Sequence, residues 1–535
     1  MISSSESNNP APAAGLSRHA VPALLVSVAV LSVCAITYQL LISTLSSYFL
    51  GSSVLHFSLV IGLFLSSMGL GSWISRYLRT RLLERFIQFE LWLGVAGGCS
   101  AWLLYAAFSL TDAYYLIAFG LIVLLGTLIG IEIPVLTRVV REYQSLRDAL
   151  ARVFSIDYLG ALIASVLFPL IWLPWLGIMR TAFLTGILNV AVAGATAWLF
   201  RHALQGARPY LLGAALAGAA LLAGFIGSFG LVTYFEEKLY QDPILLSRQS
   251  RYQQIVLTRW HDDLRLYLNG NLQFSSRDEY RYHEPLVHIP MPLAAARSRI
   301  LVLGGGDGLA VREILKYSGV DSVDVVDLDP EMTRLGFSHP AFIRLNDSAF
   351  HDPRVRIVNQ DAYKYIESGS SLYDVAIIDL PDPDDTSVGK LYTQEFYRLL
   401  ARRLAAGAAV VTQSTSPYFA PDAFWCIHHT LRAVFPVCWP YAAYIPSFGH
   451  WGFNVALNLP PAAQPSDTAL APPVETIRQR LFNPQQPMAL RYLTPEQVQA
   501  LFVFDGDMRS RPAELNRLDN QQLVRYYEAS WNRWR

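Results

Sequence analysis

The chain has 535 residues, enough for roughly three or four average domains. Apolar residues (AVILMFWYC) make up 53% and charged residues only 16%, against about a quarter in a typical soluble chain, and 42 basic residues balance 42 acidic ones. These figures exclude a disordered or nucleic-acid-binding chain and argue against a fully soluble globule, and four cysteines are too few for a disulfide-stapled scaffold.

In chain order, residues 1–20 are polar and Pro-containing and read as a disordered lead, without the basic flank of a signal peptide. Apolar stretches follow near 21–43, 54–75, 86–110, 112–137, 153–177, 181–202 and 209–232. Each is long enough to cross a ~30 Å hydrocarbon core as a helix, so residues 21–235 are predicted to form a seven-helix, multi-pass domain in the cell membrane. Small residues, as in Gly213-Ala-Ala-Leu-Ala-Gly-Ala-Ala, permit close helix approach. The loops after the second, fourth and sixth stretches carry Arg76, Arg79, Arg81, Arg85, Arg138, Arg141, Arg147, Arg152, Arg201 and Arg208, and the alternate loops only Arg180. The positive-inside rule then puts the arginine-rich loops and the N-terminus in the cytoplasm, and seven spans put the C-terminal half on the far side. Three acids, Glu90, Glu132 and Asp157, lie in or at the ends of spans. Either they pair with loop arginines and helix donors, or they line a substrate path.

Beyond the apolar region, residues 240–295 read as a small β-strand domain. Tyr252–Thr258 and Leu264–Leu268 alternate, and Asn269-Gly270 is a hairpin signal before the short return strand Leu272–Phe274. Residues 296–460 alternate strands (Ile300–Leu303, Ser322–Asp327, Val355–Val358, Val375–Ile378, Ala408–Gln413) with helices such as Leu309–Tyr317. That rhythm predicts a parallel, doubly wound, Rossmann-like α/β nucleoside-binding domain. Residues 461–535 are predicted as a Pro-rich linker (Pro460, Pro461, Pro465, Pro472, Pro473) and a helical tail, with Thr494-Pro-Glu as an N-cap followed by Pro at N1.

Gly304-Gly-Gly306-Asp307-Gly308 follows a buried strand and opens a helix, so a ligand can approach the backbone closely there. Asp327, ending the next strand, is placed to take ribose hydroxyls. Nicotinamide enzymes and S-adenosyl methyltransferases share this pattern. Asp307 tilts the choice, because a carboxylate in the glycine turn repels a pyrophosphate and suits a cationic nucleoside. Asp379-Leu-Pro-Asp382-Pro ends the fourth strand of the sheet. Its two acids could bind a metal, bind an amine or solvate a turn, and the absence of a histidine or further acid at ligand spacing disfavours a metal. Asp384 and Asp385 read as solvated loop. Cys426, His428, His429 and Cys438 invite a zinc reading, but Cys426 and His429 share a helix face with no matching pair, which favours core and surface roles.

Several motifs in order carry a family resemblance. They are Tyr252-Gln253, Leu268-Asn-Gly-Asn-Leu-Gln273, Arg277-Asp-Glu-Tyr-Arg-Tyr282-His283-Glu284, the glycine turn, Gln360-Asp361-Ala, Asp379-x-x-Asp382-Pro, Leu391-Tyr-Thr-Gln-Glu-Phe-Tyr and Pro446-Ser-Phe-Gly-His-Trp-Gly-Phe. From about Tyr252 to Ala456 the chain resembles the polyamine aminopropyltransferases, the spermidine synthase family, and with its apolar half resembles their membrane-bound branch. The resemblance implies that Gln253, Gln273, Gly304, Gly306, Asp307, Asp327 and Asp361 bind decarboxylated S-adenosylmethionine as co-substrate. Asp327 would hold the ribose, Asp361 the adenine amine and Asp307 the aminopropyl ammonium. Tyr282, His283 and Asp382 would hold the acceptor amine, with Asp379 as base and no metal or prosthetic group. Two departures stand out. Leu380 and Pro381 replace a pair of serines found in many soluble members, and Tyr444 is the nearest match to the tyrosine that closes the acceptor pocket. The implied activity is aminopropyl transfer to a di- or polyamine, putrescine first. Two other readings stay open: an S-adenosylmethionine-dependent methyltransferase, and a membrane transporter or sensor of polyamines with a non-catalytic synthase-like half. The expected partners are the polyamine, the sulfonium nucleoside and the lipid bilayer, and a homo-oligomer is compatible with the sequence. The co-substrate is cytoplasmic in origin, which conflicts with a far-side catalytic half.

Overall fold

In the computed structural model, residues 20–50, 53–111, 113–141, 146–240, 242–460 and 471–534 are described. The predicted lead up to residue 19 and linker residues 461–470 lie outside them. The chain divides into two compact units, Met1–Ile244 and Leu245–Arg535.

The first unit, with long apolar runs that hold few charges or turn residues, is helical apart from short connections among the described residues. Its helices are α1 (Ala20–Leu50), α2 (Ser53–Ser75), α3 (Leu82–Gly98), α4 (Ser100–Leu110), α5 (Tyr114–Arg141), α6 (Leu146–Leu167), α7 (Leu173–Leu199) and α8 (Arg208–Tyr240). α3 runs into α4, and a π-helical turn, Phe168–Trp172, joins α6 to α7. Small residues set the closest approaches. A Cβ at Gly71 of α2 would lie 2.1 Å from the Thr127 carbonyl oxygen, and one at Gly130 of α5 would lie 2.1 Å from that of Met68.

Among the described residues, six helical stretches are long and apolar enough to cross a membrane, where the sequence suggests seven. The difference lies in Arg147–Leu199, 53 residues that cover the fifth and sixth predicted segments. Gly177 breaks this stretch with φ 73° and ψ 177°, a backbone conformation open to glycine. Ser32 and Cys34, two residues apart on α1, hydrogen-bond to the carbonyls of Asp157 (2.5 Å) and Thr185 (3.7 Å) respectively. On one straight helix those two carbonyls would be ~42 Å apart. The chain therefore turns back between Asp157 and Thr185, in the segment that holds the π-helical turn and Gly177.

The second unit opens with a four-stranded antiparallel meander, β1 (Ile244–Gln249), β2 (Gln254–Trp260), β3 (Asp263–Leu268) and β4 (Asn271–Ser275). β1 is not among the predicted strands. The β3–β4 turn is the expected Asn-Gly pair, with φ 48° at Asn269 and 83° at Gly270, as a type I′ turn requires. Next comes a seven-stranded sheet in the order β10-β11-β9-β8-β5-β6-β7. Its strands are β5 (Arg299–Gly304), β6 (Ser322–Asp327), β7 (Val355–Asn359), β8 (Tyr373–Asp379), β9 (Leu404–Gln413), β10 (Cys438–Ile445) and β11 (Gly449–Asn458). β5 to β9 pair in parallel as predicted, while β10 and β11 add an antiparallel edge that was not. Val302, Val325, Val375 and Ile377 are fully buried, and so are Leu301, Leu303, Ala376 and Ile378 on the other face. Helices thus cover both faces, as a parallel sheet demands. The first strand, β5, lies between β6 and β8. The strand order reverses there, and a crevice opens at the carboxyl ends of β5, β6 and β8.

The helical tail packs within this unit. Glu284 is fully buried, and its carboxylate accepts the N–H groups of Arg491, Tyr492 and Leu493 at 2.6, 2.9 and 2.9 Å. Thr494 caps the helix Pro495–Leu501 as predicted. Buried Asn516 receives the Leu523 N–H and donates to the Gly389 carbonyl, which fixes the start of the last helix, Gln522–Trp531.

Candidate active site

The crevice at β5, β6 and β8 collects the acids singled out in the sequence. Gly304 and Gly305 take φ 85° and 64°, and the Gly305 N–H donates to the Asp379 carbonyl (3.1 Å). A Cβ at Gly304 would lie 2.0 Å from that oxygen, so the turn can be this tight only with glycine. Gly306 has a different reason: a Cβ there would sit 2.7 Å from Asp327 Oδ2. Asp307 receives the Leu309 N–H (2.9 Å), and Asp327 receives that of Asp329 (2.8 Å).

Asp379 ends β8 and accepts the Tyr282 hydroxyl at 2.7 Å. His283, on the same helix as Tyr282 (Tyr280–His288), is nearly fully buried. Its Nδ1 lies 3.0 Å from Glu279 Oε2, and Arg312 grips both oxygens of that carboxylate (3.0 and 2.9 Å). Burial alone would lower the pKa of His283, but the hydrogen bond and charge of Glu279 outweigh it and raise the value, with Asp307 and Asp379 adding to the rise. His283 thus lies within electrostatic reach of both acids.

Asp307, Asp327, Asp379 and Asp382 keep part of their surface open to solvent but are ringed by protein. That burial raises all four pKa values, to about 7 for Asp327 and about 6 for Asp379 and Asp382. Mutual repulsion adds to it, Asp307 acting on both Asp327 and Asp379. Such a cluster favours a cationic guest.

Asp382 has partners that the sequence did not point to. The Tyr527 hydroxyl donates to Oδ2 at 2.8 Å, Thr415 Oγ1 approaches at 3.4 Å, and Gln413 Nε2 lies 3.5 Å from Oδ1. Tyr527 belongs to the last helix, whose Trp531 stacks on Phe419. Tyr444, the expected closing tyrosine, lies on β10. On β10 the residues Trp439, Tyr441, Ala443 and Ile445 turn inward, and period-two alternation leaves Tyr444 outward, 52% exposed, with its ring against His450. Tyr527 carried no recognisable spacing. Its only sequence signal was an aromatic run, Tyr526-Tyr527 and Trp531, in an otherwise polar tail.

The remaining predicted residues have partners of their own. Asp361 caps the helix Ala362–Ser368 and takes Lys390 Nζ at 2.6 Å; burial would raise its pKa, but Lys390 holds it below the usual carboxylate range. The Gln253 amide donates to Asp329 (3.0 Å), the neighbour that donates to Asp327. Gln273 donates to the Asn271 carbonyl on its own strand (3.1 Å). Asp384 and Asp385 are not loose loop. Asp384 accepts the Asn271 side chain (3.1 Å), and burial raises its pKa to about 7, while Asp385 caps the turn Thr386–Gly389. His428 pairs with Asn454 (2.7 Å), and Cys426 is buried in the core.

Residues 279–462 match the family described as "Spermine/spermidine synthase domain". Polyamine aminopropyltransferase 2 of Ralstonia nicotianae is 46% identical over 519 residues, covering 95% of this chain and 98% of that one. Polyamine aminopropyltransferase of Leptospira interrogans is 43% identical over 513 residues, covering 96% and 99%. Among solved structures, a spermidine synthase in complex with the transition-state analogue AdoDATO is 26% identical, with a TM-score of 0.43, and covers 49% of this chain and 85% of that one.

Proposed function

The chain belongs to the polyamine aminopropyltransferase family, and on that premise we propose that it transfers the aminopropyl group of decarboxylated S-adenosylmethionine to a di- or polyamine, putrescine first. The observation that carries this reading is the crevice of raised-pKa acids at β5, β6 and β8, with Tyr282 fixing Asp379. The donor carries a sulfonium and an ammonium. A carboxylate at Asp307 complements the ammonium with about 4 kcal/mol at ~4 Å and an effective dielectric near 20, before desolvation. Asp327 holds the ribose hydroxyls. An anionic pyrophosphate would meet repulsion throughout, and a methyltransferase donor would bring a carboxylate toward Asp307.

Attack needs a neutral acceptor nitrogen. With a pKa near 10.4, only about one amine in a thousand is neutral near pH 7.5. Asp379 takes the proton as the nitrogen lone pair forms the new C–N bond. The C–S electron pair leaves with sulfur, giving neutral 5′-methylthioadenosine, so no general acid is required. The Tyr282 hydrogen bond aims the Asp379 carboxylate. Asp382, backed by Tyr527, Thr415 and Gln413, holds the remote ammonium and aligns the amine for in-line displacement. The helical unit lies in the cell membrane on this reading, supported by its long apolar helices.

Purified full-length protein given decarboxylated S-adenosylmethionine and putrescine is expected to release methylthioadenosine. Asp379→Asn should abolish release while donor binding stays within about threefold; equal turnover would sink the base assignment. Release of S-adenosylhomocysteine from intact S-adenosylmethionine would point to a methyltransferase instead.

A further inference from the structure

An imidazole has two polar atoms, and in His283 the fold itself uses only one of them. Nδ1 lies 2.8 Å from the Glu279 carbonyl oxygen and 3.0 Å from Glu279 Oε2. The carbonyl can only accept. The carboxylate is ionised, because burial would raise its pKa but His283 and Arg312 outweigh that and lower it. Two acceptors therefore face Nδ1, so Nδ1 carries the hydrogen, and in the neutral ring Nε2 keeps the lone pair. Nε2 has no hydrogen-bond partner among the described residues, although His283 is only 3% exposed.

The hold on Nδ1 is itself built. Glu279 is buried, and its two oxygens take both terminal nitrogens of Arg312, which lies on the helix Leu309–Ile314. Arg312 is fixed in turn, with Nε on Glu313 (2.9 Å) and Nη1 on the Leu345 carbonyl (2.6 Å). Glu313, also buried, takes His288 and Lys316 at 2.8 and 2.6 Å. Each charged group from Glu279 to Lys316 thus has a partner of opposite charge, and Nε2 of His283 is the open end of the chain. The ring is within electrostatic reach of Asp307 and Asp379, and its neighbour Tyr282 donates to Asp379.

We propose that Glu279 and Arg312 are positioning residues for the transfer, holding His283 so that Nε2 accepts one N–H of the attacking amine. This rests on the aminopropyl-transfer reading and deepens it. A neutral primary amine has two N–H bonds and one lone pair. With one N–H on Asp379 and the other on Nε2, the lone pair has a single direction left, toward the donor carbon. The opposite tautomer, with its hydrogen on Nε2, would donate to that lone pair and block attack. As the C–N bond forms and the C–S pair leaves with sulfur, the proton goes to Asp379 and His283 stays neutral. The sulfonium and ammonium of a bound donor favour that neutral ring, against the pull of Glu279.

The test follows methylthioadenosine release by full-length protein in detergent, with decarboxylated S-adenosylmethionine and putrescine both saturating. His283→Asn keeps an amide N–H at the Nδ1 position but has no atom at Nε2. It is expected to lower kcat about 10–100-fold with donor affinity within about threefold. Glu279→Gln turns an amide N–H toward Arg312 or Nδ1, and Arg312→Lys loses the fork; each should cost at least about tenfold in kcat. Added to His283→Asn, neither should cost anything more, because both act through His283. Additive losses, or loss of donor binding by Glu279→Gln alone, would make the pair a support of the fold and overturn the positioning role. Turnover near native in His283→Asn overturns the part given to Nε2. A native chain that releases no methylthioadenosine sinks the reaction itself, whereas native turnover with unaffected variants sinks only this inference.

Discussion

Asp327 illustrates what the site costs the fold. Its carboxyl titrates at about 7, because burial and the charges of Asp329 and Asp307 raise it, whereas an unfolded aspartate titrates near 3.9. Between those values the folded chain binds more protons than the unfolded one, so folding stability falls as pH rises through about 4 to 7. Asp379 and Asp382, at about 6, act in the same direction over a narrower window. A cationic ligand reverses the penalty by answering the charge. Asp327→Asn should therefore raise the thermal midpoint of the catalytic unit at pH 8 by about 3–5 °C and leave it nearly unchanged at pH 4, while weakening donor binding about 10–100-fold. Calorimetry at the two pH values, with donor titration beside it, checks both halves. An equal or lower midpoint at pH 8 would mean that Asp327 is already neutralised within the protein.

The last helix is the element that most alters the expected site. Tyr527 reaches Asp382 because buried Asn516 fixes the start of that helix and Trp531 stacks on Phe419 near its end. Tyr527→Phe removes one hydrogen bond to a charged group. It should raise the putrescine KM about tenfold with little change in kcat or donor affinity, and a selective fall in kcat would instead assign Tyr527 to the chemistry. That contact was out of reach of the sequence because it joins residues 145 apart and follows no local spacing. The parallel strands were legible, since strands buried on both faces read as apolar runs between glycine and acidic turns. β10 was not, because Pro440 interrupts it and its alternation is half-buried. The acids of the glycine turn and of β8 could be placed because strand ends are fixed by the fold. The Asp361–Lys390 pair was hidden for the opposite reason: it depends on how the turn Lys390–Tyr392 packs, which no motif records.

At the scale of the whole chain, on the proposed membrane reading, the number of bilayer crossings decides where the chemistry happens. The turn between Asp157 and Thr185 makes two rods of one 53-residue helical stretch, so an odd number of apolar rods precedes the catalytic unit among the described residues. Full crossing by each, with the arginine-rich loops in the cytoplasm, puts that unit on the far side, where its donor would have to be delivered. A re-entrant Arg147–Leu199 hairpin, dipping in and returning to the same face, would leave an even number of crossings and a cytoplasmic enzyme. A glycine-broken hairpin is the kind of element that can do this only if its tip stays covered by protein, since exposed backbone at membrane depth is costly. Trp175, next to the break, is 81% exposed in the helical unit. On the proposed membrane reading, tryptophan at such a tip is the residue type found at bilayer interfaces, and two full crossings are the expectation to test. A periplasm-dependent reporter fused after Arg535 is therefore expected to be active, and its cytoplasm-dependent counterpart silent. The opposite pattern would mean that the hairpin turns back inside the bilayer.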